Sequence, residues 1–341
     1  MKIKWTHYGK EGKAQAVNIT QAVQSVNWGG SVSQAARTAE LSVINAPYDK
    51  NIKKLKLKIA PGDLIQLYEK DKQIFLGEVI SKEKKGETGT VSYSCMDLMN
   101  HLLRSSGVYN FTDTTAEAIA KKLCMDFQIR PGSIAQTKTP IRKMIFDGCS
   151  VYDMVMMAYT KAAKQTGKKY VCFMDGSKLS VRVKGTIVKN YALDGKRNMT
   201  DSSQNETIEN MVNVVKIYDG AGNQVGEMAK DGWARRYGVY QGVYKKEEGV
   251  NETEAAKLML AGVEKKVSVS GINGNLKCVA GNGVKVRDGA TGLKGLFWIE
   301  SDAHTWENGA HTMSLDLSFQ NVMDSKEYEE TEESGGEEGG G

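Results

Sequence analysis

The chain has 341 residues, of which 40% are hydrophobic and 26% are charged, enough for two or three hydrophobic cores of ~100–150 residues. This composition excludes disorder throughout. No apolar run approaches the roughly 18–20 residues of a membrane span. The start, Met1–Trp5, alternates charge with bulk where a signal peptide would be continuously apolar. The sequence therefore argues against a membrane-embedded or conventionally secreted protein.

The net charge of +5 is unevenly distributed. Residues 324–341 hold eight acidic side chains and one basic side chain, which leaves +12 on residues 1–323. Such a surplus suits nucleic acid or an acidic partner, but most lysines alternate with apolar residues, as on a solvated sheet face. Nucleic-acid binding is therefore disfavoured. The acidic, glycine-rich segment 324–341 is predicted to be a disordered tail.

Cysteine and glycine usage indicates a β-rich protein with free thiols. The five cysteines form no close pair, which favours free thiols in a reducing compartment. The 36 glycines outnumber the four prolines, and glycine supplies the positive φ of tight hairpin turns. Many turns and mainly β structure are expected.

Residues 1–104 show a period of two. Lys54–Ile59 and Val91–Cys95 alternate strictly between polar and apolar residues, and Gly-rich turn signals separate the shorter samples of the same pattern. About six short strands in this length predict a small β-barrel or β-sandwich. A short helix over Asp97–Arg104 is expected to close it.

Residues 105–186 change to a period of 3.6. Thr114–Glu117 has the pattern of a capping box before one helix, and Ser150 with Asp153 predicts the start of another that Gly167 ends. Asp175-Gly176 lies between two short apolar runs and predicts a hairpin. We expect a small inserted α+β domain here.

From residue 187 the β pattern returns and predicts a second β-barrel that ends near residue 323. The polar stretch Thr200–Asn205 is interpreted as a loop or boundary, and Met211–Tyr218 as a strand. Asn251–Glu254 opens a predicted helix. Later strands are expected at 267/269, 276/278, 284/286 and 311–319.

A weak internal echo connects the two β regions. Pro61–Ile65 begins a strand pair that returns through Phe75–Ser81. Gly281–Val286 leads in the same way to Gly295–Ser301. A duplication would give two similar barrels in one chain, although glycine-rich turns of this kind also arise by chance in β proteins.

Few residues have the spacing that catalysis or metal binding needs. His304 and His311 could approach across a hairpin turned by Asn308-Gly309, for which an ordinary position near a turn is the favoured interpretation. Cys149 at a helix start could be a nucleophile with a lowered pKa, but it lacks a matching His–Asx context. We therefore assign no catalytic, cofactor-binding or metal-binding residue, and expect no cofactor.

One extended pattern resembles a known family. It is densest in the first 105 residues and consists of Asn18–Val23, Val26–Gly30, Gln34–Val43, Pro61–Asp63 and Phe75–Val79. This pattern resembles the opening of the XkdQ/YqbQ family, the baseplate hub proteins of PBSX-type prophages, contractile phages and phage-tail-like bacteriocins. The resemblance extends over about residues 1–323 and contains no invariant catalytic motif.

The resemblance implies a homotrimeric baseplate hub. Two tube-like barrels per chain would form a pseudo-six-fold ring that joins the hexameric tail tube to the trimeric central spike. The domain at 105–186 would lie outside and contact the spike, a LysM-type hub partner or baseplate wedge proteins, and a tape measure protein is a further candidate. The protein would be part of a virion or tail-like particle assembled in the host bacterial cytoplasm, without a membrane partner.

Two alternatives remain open at this stage. A tail-associated peptidoglycan hydrolase would need paired carboxylates or a metal site, which nothing marks. A nucleic-acid-binding protein would need interleaved basic and aromatic residues, for which Trp233–Tyr237 is the best candidate. In a hub, that segment with Arg235 and the strand at 54–59 would be interface elements.

Overall fold

The computed structural model describes residues 1–8, 14–45, 57–85, 89–246 and 252–328. The chain divides into two units, one of Met1–Asp201 with Val269–Gly341 and one of Ser202–Ser268. The predicted fold class, mainly β with few helices, is confirmed. Within the described ranges, no helix is long and apolar enough to cross a membrane.

The described residues of the first β region form seven strands and one short helix, with a 3-10 turn at Thr20–Ala22. They are β1 (Lys2–Tyr8), β2 (Ala14–Asn18), β3 (Val23–Ser31), β4 (Thr38–Ile44), β5 (Leu64–Glu69), β6 (Lys72–Lys85), β7 (Thr90–Asp97) and α1 (Met99–Arg104).

The strand predicted over Lys54–Ile59 is not found where it can be checked. Residues 51–56 lie outside the described residues, and 57–60 have no regular secondary structure. Ile59 is nevertheless fully buried, because the turn before β5 carries it into the core. In the described residues 57–60, the apolar pattern therefore reflects the burial of Ile59 and not a strand.

The middle of the chain forms the predicted mixture of helices and strands. The elements are β8 (Ser106–Thr114), α2 (Ala116–Asp126), β9 (Arg130–Ile134), β10 (Ile141–Ser150), α3 (Val151–Thr166), β11 (Tyr170–Asp175) and β12 (Lys178–Val183). β8 pairs with β10, and β11–β12–β9 form a second small sheet. We call these elements, residues 105–186, the α+β layer.

The boundaries of α3 agree with the sequence. The Ser150 side chain accepts a hydrogen bond from the Asp153 backbone N–H at 3.0 Å, and Gly167 ends the helix with φ +67°. Both positions satisfy backbone groups that a helix end leaves unpaired.

The start of α2 differs from the predicted capping box. Thr115, not Thr114, is the N-cap and accepts from Ala118 N–H. The Glu117 carboxylate instead accepts from the backbone N–H groups of Thr137 and Lys138, both at 3.1 Å. The Glu117 carboxylate therefore binds the loop at Thr137 and Lys138 and does not cap its own helix.

In the described part of the last third there are nine strands and two helices. They are β13 (Ile187–Asp194), β14 (Asp201–Thr207), β15 (Val214–Tyr218), β16 (Gln224–Ala229), α4 (Asp231–Tyr237), β17 (Gln241–Lys245), α5 (Glu252–Met259), β18 (Glu264–Asn273), β19 (Gly283–Arg287), β20 (Lys294–Glu307) and β21 (Ala310–Ser318). In the second unit, β16–β15–β17 form a sheet whose core contains Val215, Ile217 and Ala256.

Two predictions in this region need correction. Residues 201–205 of the polar stretch Thr200–Asn205 belong to strand β14 rather than a loop, although the boundary between the two units does fall there. The alternation of Leu276 and Cys278 is not a strand: Cys278 N–H turns back onto the Asn275 carbonyl at 2.8 Å. Cys278 is buried by this turn-rich loop.

The strand order repeats between the two β regions. One sheet of the described residues runs β14–β18–β21–β20–β3–β4–β7–β6–β5–β1–β2, and β19 and β13 continue from β20. The series β3–β4–β7–β6–β5–β1 therefore has a counterpart in β14–β18–β21–β20–β19–β13. The last pair differs, since β1 is antiparallel to β5 whereas β13 is parallel to β19.

Hydrogen bonds confirm the echo read from the sequence. Gly62 N–H donates to the Val79 carbonyl and Gly281 N–H to the Ile299 carbonyl, each at 2.9 Å. Both glycines have positive φ, +90° and +86°. The register of β6 against β7 shifts between Val79 and Ser81, and that of β20 against β21 shifts between Ile299 and Ser301. These bulges occupy matching positions, so we call the two strand series the first and second repeats.

Two of the cores lie in the larger unit. The first repeat encloses a core that includes Trp5, Leu41, Leu67 and Phe75. The α+β layer encloses another built largely from α2 and α3, which also takes in Met323 from beyond β21.

Residues 319–328, which we call the strap, pack on the α+β layer. Met323 is 8% exposed, and the Asp324 carboxylate accepts from Tyr152 Oη at 2.8 Å. The Ile145 backbone N–H donates to Tyr328 Oη, also at 2.8 Å. The predicted disorder from residue 324 is therefore wrong for residues 324–328, because contacts with α3 and β10 hold them. Residues 329–341 lie outside the described residues.

Candidate functional site

The joint between the two repeats is the main candidate site. β3 of the first repeat pairs antiparallel with β20 of the second, with Trp28 opposite His304. A Cβ at Gly29 would lie 2.5 Å from the Asp302 carbonyl, so the two strands approach too closely there for a side chain. The joint contains most of the buried polar chemistry described below.

An ion pair connects the repeats across this joint. Arg37, just before β4, donates Nη1 to Asp302 Oδ1 at 3.0 Å and Nη2 to Oδ2. The Asp302 side chain is fully buried and also accepts from Ala280 N–H at 2.7 Å. The Arg37 guanidinium lies 4.0 Å from the centre of the Trp28 ring. The bidentate geometry and stacking suit arginine and would not suit lysine.

His304 and His311 meet as the sequence suggested. His304 Nδ1 lies 3.0 Å from His311 Nε2, across the hairpin whose turn residues Asn308 and Gly309 have φ +52° and +79°. His304 Nε2 lies 3.1 Å from the Cys278 carbonyl, which can only accept. Nε2 therefore carries the proton, and Nδ1 accepts from His311. Both ring nitrogens of His304 are then used in structural hydrogen bonds.

Burial keeps this histidine neutral. It lowers the pKa of His304 to about 4, although the nearby Asp302 carboxylate acts in the opposite direction. Burial also lowers the pKa of His311. Trp306 stacks on the His311 ring at a centroid distance of 4.0 Å. The arrangement is that of a packed joint between strands.

The loop before β19 closes over the histidine pair. Gly274 N–H donates to the His311 carbonyl at 2.9 Å, and a Cβ at Gly274 would lie 2.2 Å from the imidazole ring. Only glycine allows this approach at position 274.

Asp97 is a second buried acid near Arg37. The residue is 3% exposed, and its backbone N–H donates to the Arg37 carbonyl at 3.0 Å. Burial raises the pKa of Asp97 to about 7, against the opposing influence of its backbone hydrogen bonds and of Arg37. This acid therefore titrates well above the ordinary range of a carboxyl group.

The other candidates from the sequence do not gather into a site. Burial raises the pKa of Cys149, and Asp153 adds to this, so the lowering expected at a helix start is not found. Arg235 and Arg236 lie on α4 in the second unit, where Arg236 packs over Tyr237. Among the described residues no three His, Cys, Asp or Glu side chains are placed to hold a metal.

Arg37 and Asp302 were missed by the sequence analysis. They are 265 positions apart, and neither belongs to a motif with fixed spacing.

The fold is that of phage tail proteins. The 43 kDa tail protein of prophage MuSo2 from Shewanella oneidensis has a similar structure, with a TM-score of 0.69 at 15% identity, over 93% of this chain and 96% of that one. A chain of the Francisella PdpA–VgrG complex is also similar, with a TM-score of 0.53 at 10% identity, over 97% of this chain and 54% of the other.

The family model of YqbQ-like proteins matches residues 26–318, and the chain belongs to this family. The PBSX protein XkdQ of Bacillus subtilis is 25% identical over 309 residues, 88% of this chain and 93% of XkdQ. The resemblance read from the first 105 residues is thus confirmed. The chain is a phage tail- or baseplate-like structural protein.

Proposed function

We propose that the protein is the baseplate hub of a contractile tail or tail-like particle. Three copies form a pseudo-six-fold ring that meets the hexameric tail tube on one side and the trimeric spike on the other. Residues 1–104 and 187–323 supply the two tube-like barrels, and the α+β layer lies outside them. Family membership and the fold support this proposal.

The duplicated strand order is the observation that carries it. A partner of six-fold symmetry needs six equivalent surfaces, and a trimer offers them if each chain contains two similar repeats. The matching bulges and glycine turns indicate that the repeats are similar in detail and not only in class.

The pairing of β3 with β20 inside one chain suggests which strands pair between neighbouring copies of the protein. Residues 301–307 of β20 pair with β3 of the other repeat. The corresponding residues of β6 begin at Ser81, and the counterpart of β3 is β14. In the proposed ring, β6 from Ser81 onward therefore pairs with β14 of a neighbouring copy.

The partners follow from this role. The tail tube and the central spike are the axial neighbours, and a LysM-type hub partner, wedge proteins and a tape measure protein are further candidates. The similar chain from the Francisella complex comes from an assembly with more than one kind of subunit. The protein would act in the baseplate, after assembly in the host bacterial cytoplasm.

Light scattering on a sizing column tests the trimer directly. A mass near three chains is expected for the protein alone or co-expressed with its spike. A monomer in both preparations would contradict the ring, and peptidoglycan zymography would then test the hydrolase alternative.

Engineered cysteines test the joint between copies. In a Cys149→Ser background, Ser81→Cys is paired in turn with Asn205→Cys, Glu206→Cys and Thr207→Cys at the end of β14, because Ser301, the counterpart of Ser81, lies opposite Ser31 at the end of β3, and oxidation is expected to link separate chains. Asn27→Cys with Thr305→Cys is the positive control, because these residues are cross-strand partners within one chain. If the protein is a trimer but no β6–β14 disulfide forms, the hub proposal would stand and this strand pairing between copies would be contradicted.

A further inference from the structure

We propose that the acidic segment Glu329–Glu333 binds the basic surface of its own α+β layer, formed by Lys143, Lys161 and Lys164. This surface surrounds the point at which the described chain ends. The inference is independent of the proposed hub function.

The strap delivers the acidic segment to that place. Lys326 N–H donates to Thr160 Oγ1 of α3 at 3.1 Å, and Tyr328 Oη accepts from Ile145 N–H of β10 at 2.8 Å. The Tyr328 ring also packs edge-on against Phe146, with 5.9 Å between ring centroids. The strap is therefore anchored up to its last described residue.

Three lysines lie around this anchor. Lys161 Nζ is 5.7 Å from the centre of the Tyr328 ring, and Lys164 forms an ion pair with Glu327. Lys143 precedes Ile145 by two residues on β10, about 7 Å along a strand. The last strap residues thus already begin the pairing of acidic and basic groups that we extend to the next segment.

The charge of the acidic segment and the distance it can span both favour its binding to the three lysines. Residues 105–186 contain 13 basic and six acidic side chains, whereas residues 329–341 contain six acidic and no basic ones. Five extended residues after Tyr328 span at most about 17 Å, which includes all three lysines. Because the segment is tethered, its effective concentration at this surface is on the order of millimolar.

Binding of this kind occupies a surface that an acidic partner could otherwise use. It should weaken with salt, since the Debye length shrinks from about 30 Å at 0.01 M to about 3 Å at 1 M ionic strength.

Acetylation rates of single lysines, followed by mass spectrometry, test the proposal. The full chain is compared at low salt with a chain ending at Tyr328 and with the variant Glu329→Gln, Glu330→Gln, Glu332→Gln, Glu333→Gln. Lys143 and Lys161 should react several-fold faster in both altered proteins. Lys121 and Lys178, on other elements of the α+β layer, serve as internal controls and should be unchanged.

A matched variant separates a specific site from general charge. Glu337→Gln with Glu338→Gln removes acidic groups farther from the anchor and should have a much smaller effect. An equal effect of both variants would overturn the specific site, as would unchanged rates in the shortened chain. In 0.5 M NaCl the difference between full and shortened chains should disappear, and its persistence would contradict electrostatic binding.

Discussion

Arg37 and Asp302 form a charge pair that water scarcely reaches. Asp302 is fully buried, and Arg37 retains 15% side-chain exposure. Such pairs add little stability relative to apolar residues, but loss of one partner leaves a buried charge without compensation. Loss of either partner is therefore expected to cost more than the intact pair contributes.

Arg37→Met should destabilise the protein by about 3–5 kcal/mol, because it leaves the buried Asp302 carboxylate unpaired. Urea unfolding followed by circular dichroism measures the change. The double variant Arg37→Met, Asp302→Leu should recover part of the loss. Lys122→Met, which breaks an exposed pair with Asp126, should leave the unfolding midpoint unchanged. Equal effects of Arg37→Met and Lys122→Met would contradict the role of burial.

Two buried groups at the joint should give opposite pH dependences. In the folded protein the pKa of His304 is lowered to about 4, so its imidazole stays neutral until the pH falls to that value. In the unfolded chain the usual pKa of 6.5 applies, so the unfolded chain binds the extra proton. Its contribution to stability, about 3 kcal/mol, is lost as pH falls from about 6.5 to 4. In the folded protein the pKa of Asp97 is raised to about 7, so its carboxyl group stays protonated until the pH rises to that value. Its contribution to stability is therefore lost as pH rises from about 4 to 7.

Unfolding free energies of two variants between pH 4 and 7 separate these contributions. Asp97→Asn should make stability rise more steeply with pH than in the parent, since the contribution of His304 remains. His304→Gln should make stability fall with rising pH relative to the parent. Glu117, whose pKa is lowered because hydrogen bonds from the Thr137 region outweigh its burial, contributes equally to all three proteins. Parallel profiles would show that neither buried group is linked to folding.

At the scale of elements, local caps and tertiary contacts contribute separately. Ser150→Ala should cost about 1 kcal/mol, because the Asp153 N–H at the start of α3 loses its acceptor. Ser150→Thr retains a hydroxyl cap and should stay within a few tenths of the parent in the same thermal unfolding experiment. A similar loss for both variants would point to packing instead of capping.

The strap tests the contribution of a tertiary contact to stability, as Ser150 tests that of a local cap. Met323→Ala should cost about 2–5 kcal/mol because it opens a cavity in the core of the α+β layer. The neighbouring Val322 is 51% exposed, and Val322→Ala should change the free energy of unfolding by less than about 0.5 kcal/mol. If Met323→Ala were equally mild, the strap would not be part of that core.

At the scale of the whole molecule, the second unit is a continuous insertion. Its ends are close, since Thr200 N–H donates to the Ser270 carbonyl at 3.2 Å. Replacing residues 209–262, which lie between β14 and β18, by a short Gly–Ser linker should therefore leave the larger unit and both of these strands folded, with a protease-resistant core and a cooperative melting transition. A shortened chain that neither resists proteolysis nor melts cooperatively would show that the larger unit depends on the insertion.

Periodicity and caps were readable because they depend on neighbouring residues. The sequence correctly placed the two ends of α3, at Ser150 and Gly167, and the hairpin at Asp175-Gly176. The strand predicted at 311–319 is also found, as β21. The alternations at 57–59 and 276/278 were misleading for the opposite reason. There Ile59 and Cys278 are buried in loops while Leu57 and Leu276 are only half-buried, so the alternation of apolar residues did not require a sheet.

The sequence by itself determined the mainly β class, the helical interruption, the echo between two strand pairs and the family. These properties follow from local spacing and from patterns along the chain. Only the tertiary structure decided that Arg37 meets Asp302, that Glu117 holds a distant loop and that the strap returns to the α+β layer. Those contacts join residues separated by 20 to 265 positions. Their partners are selected by burial and charge in the folded chain, which no local pattern encodes.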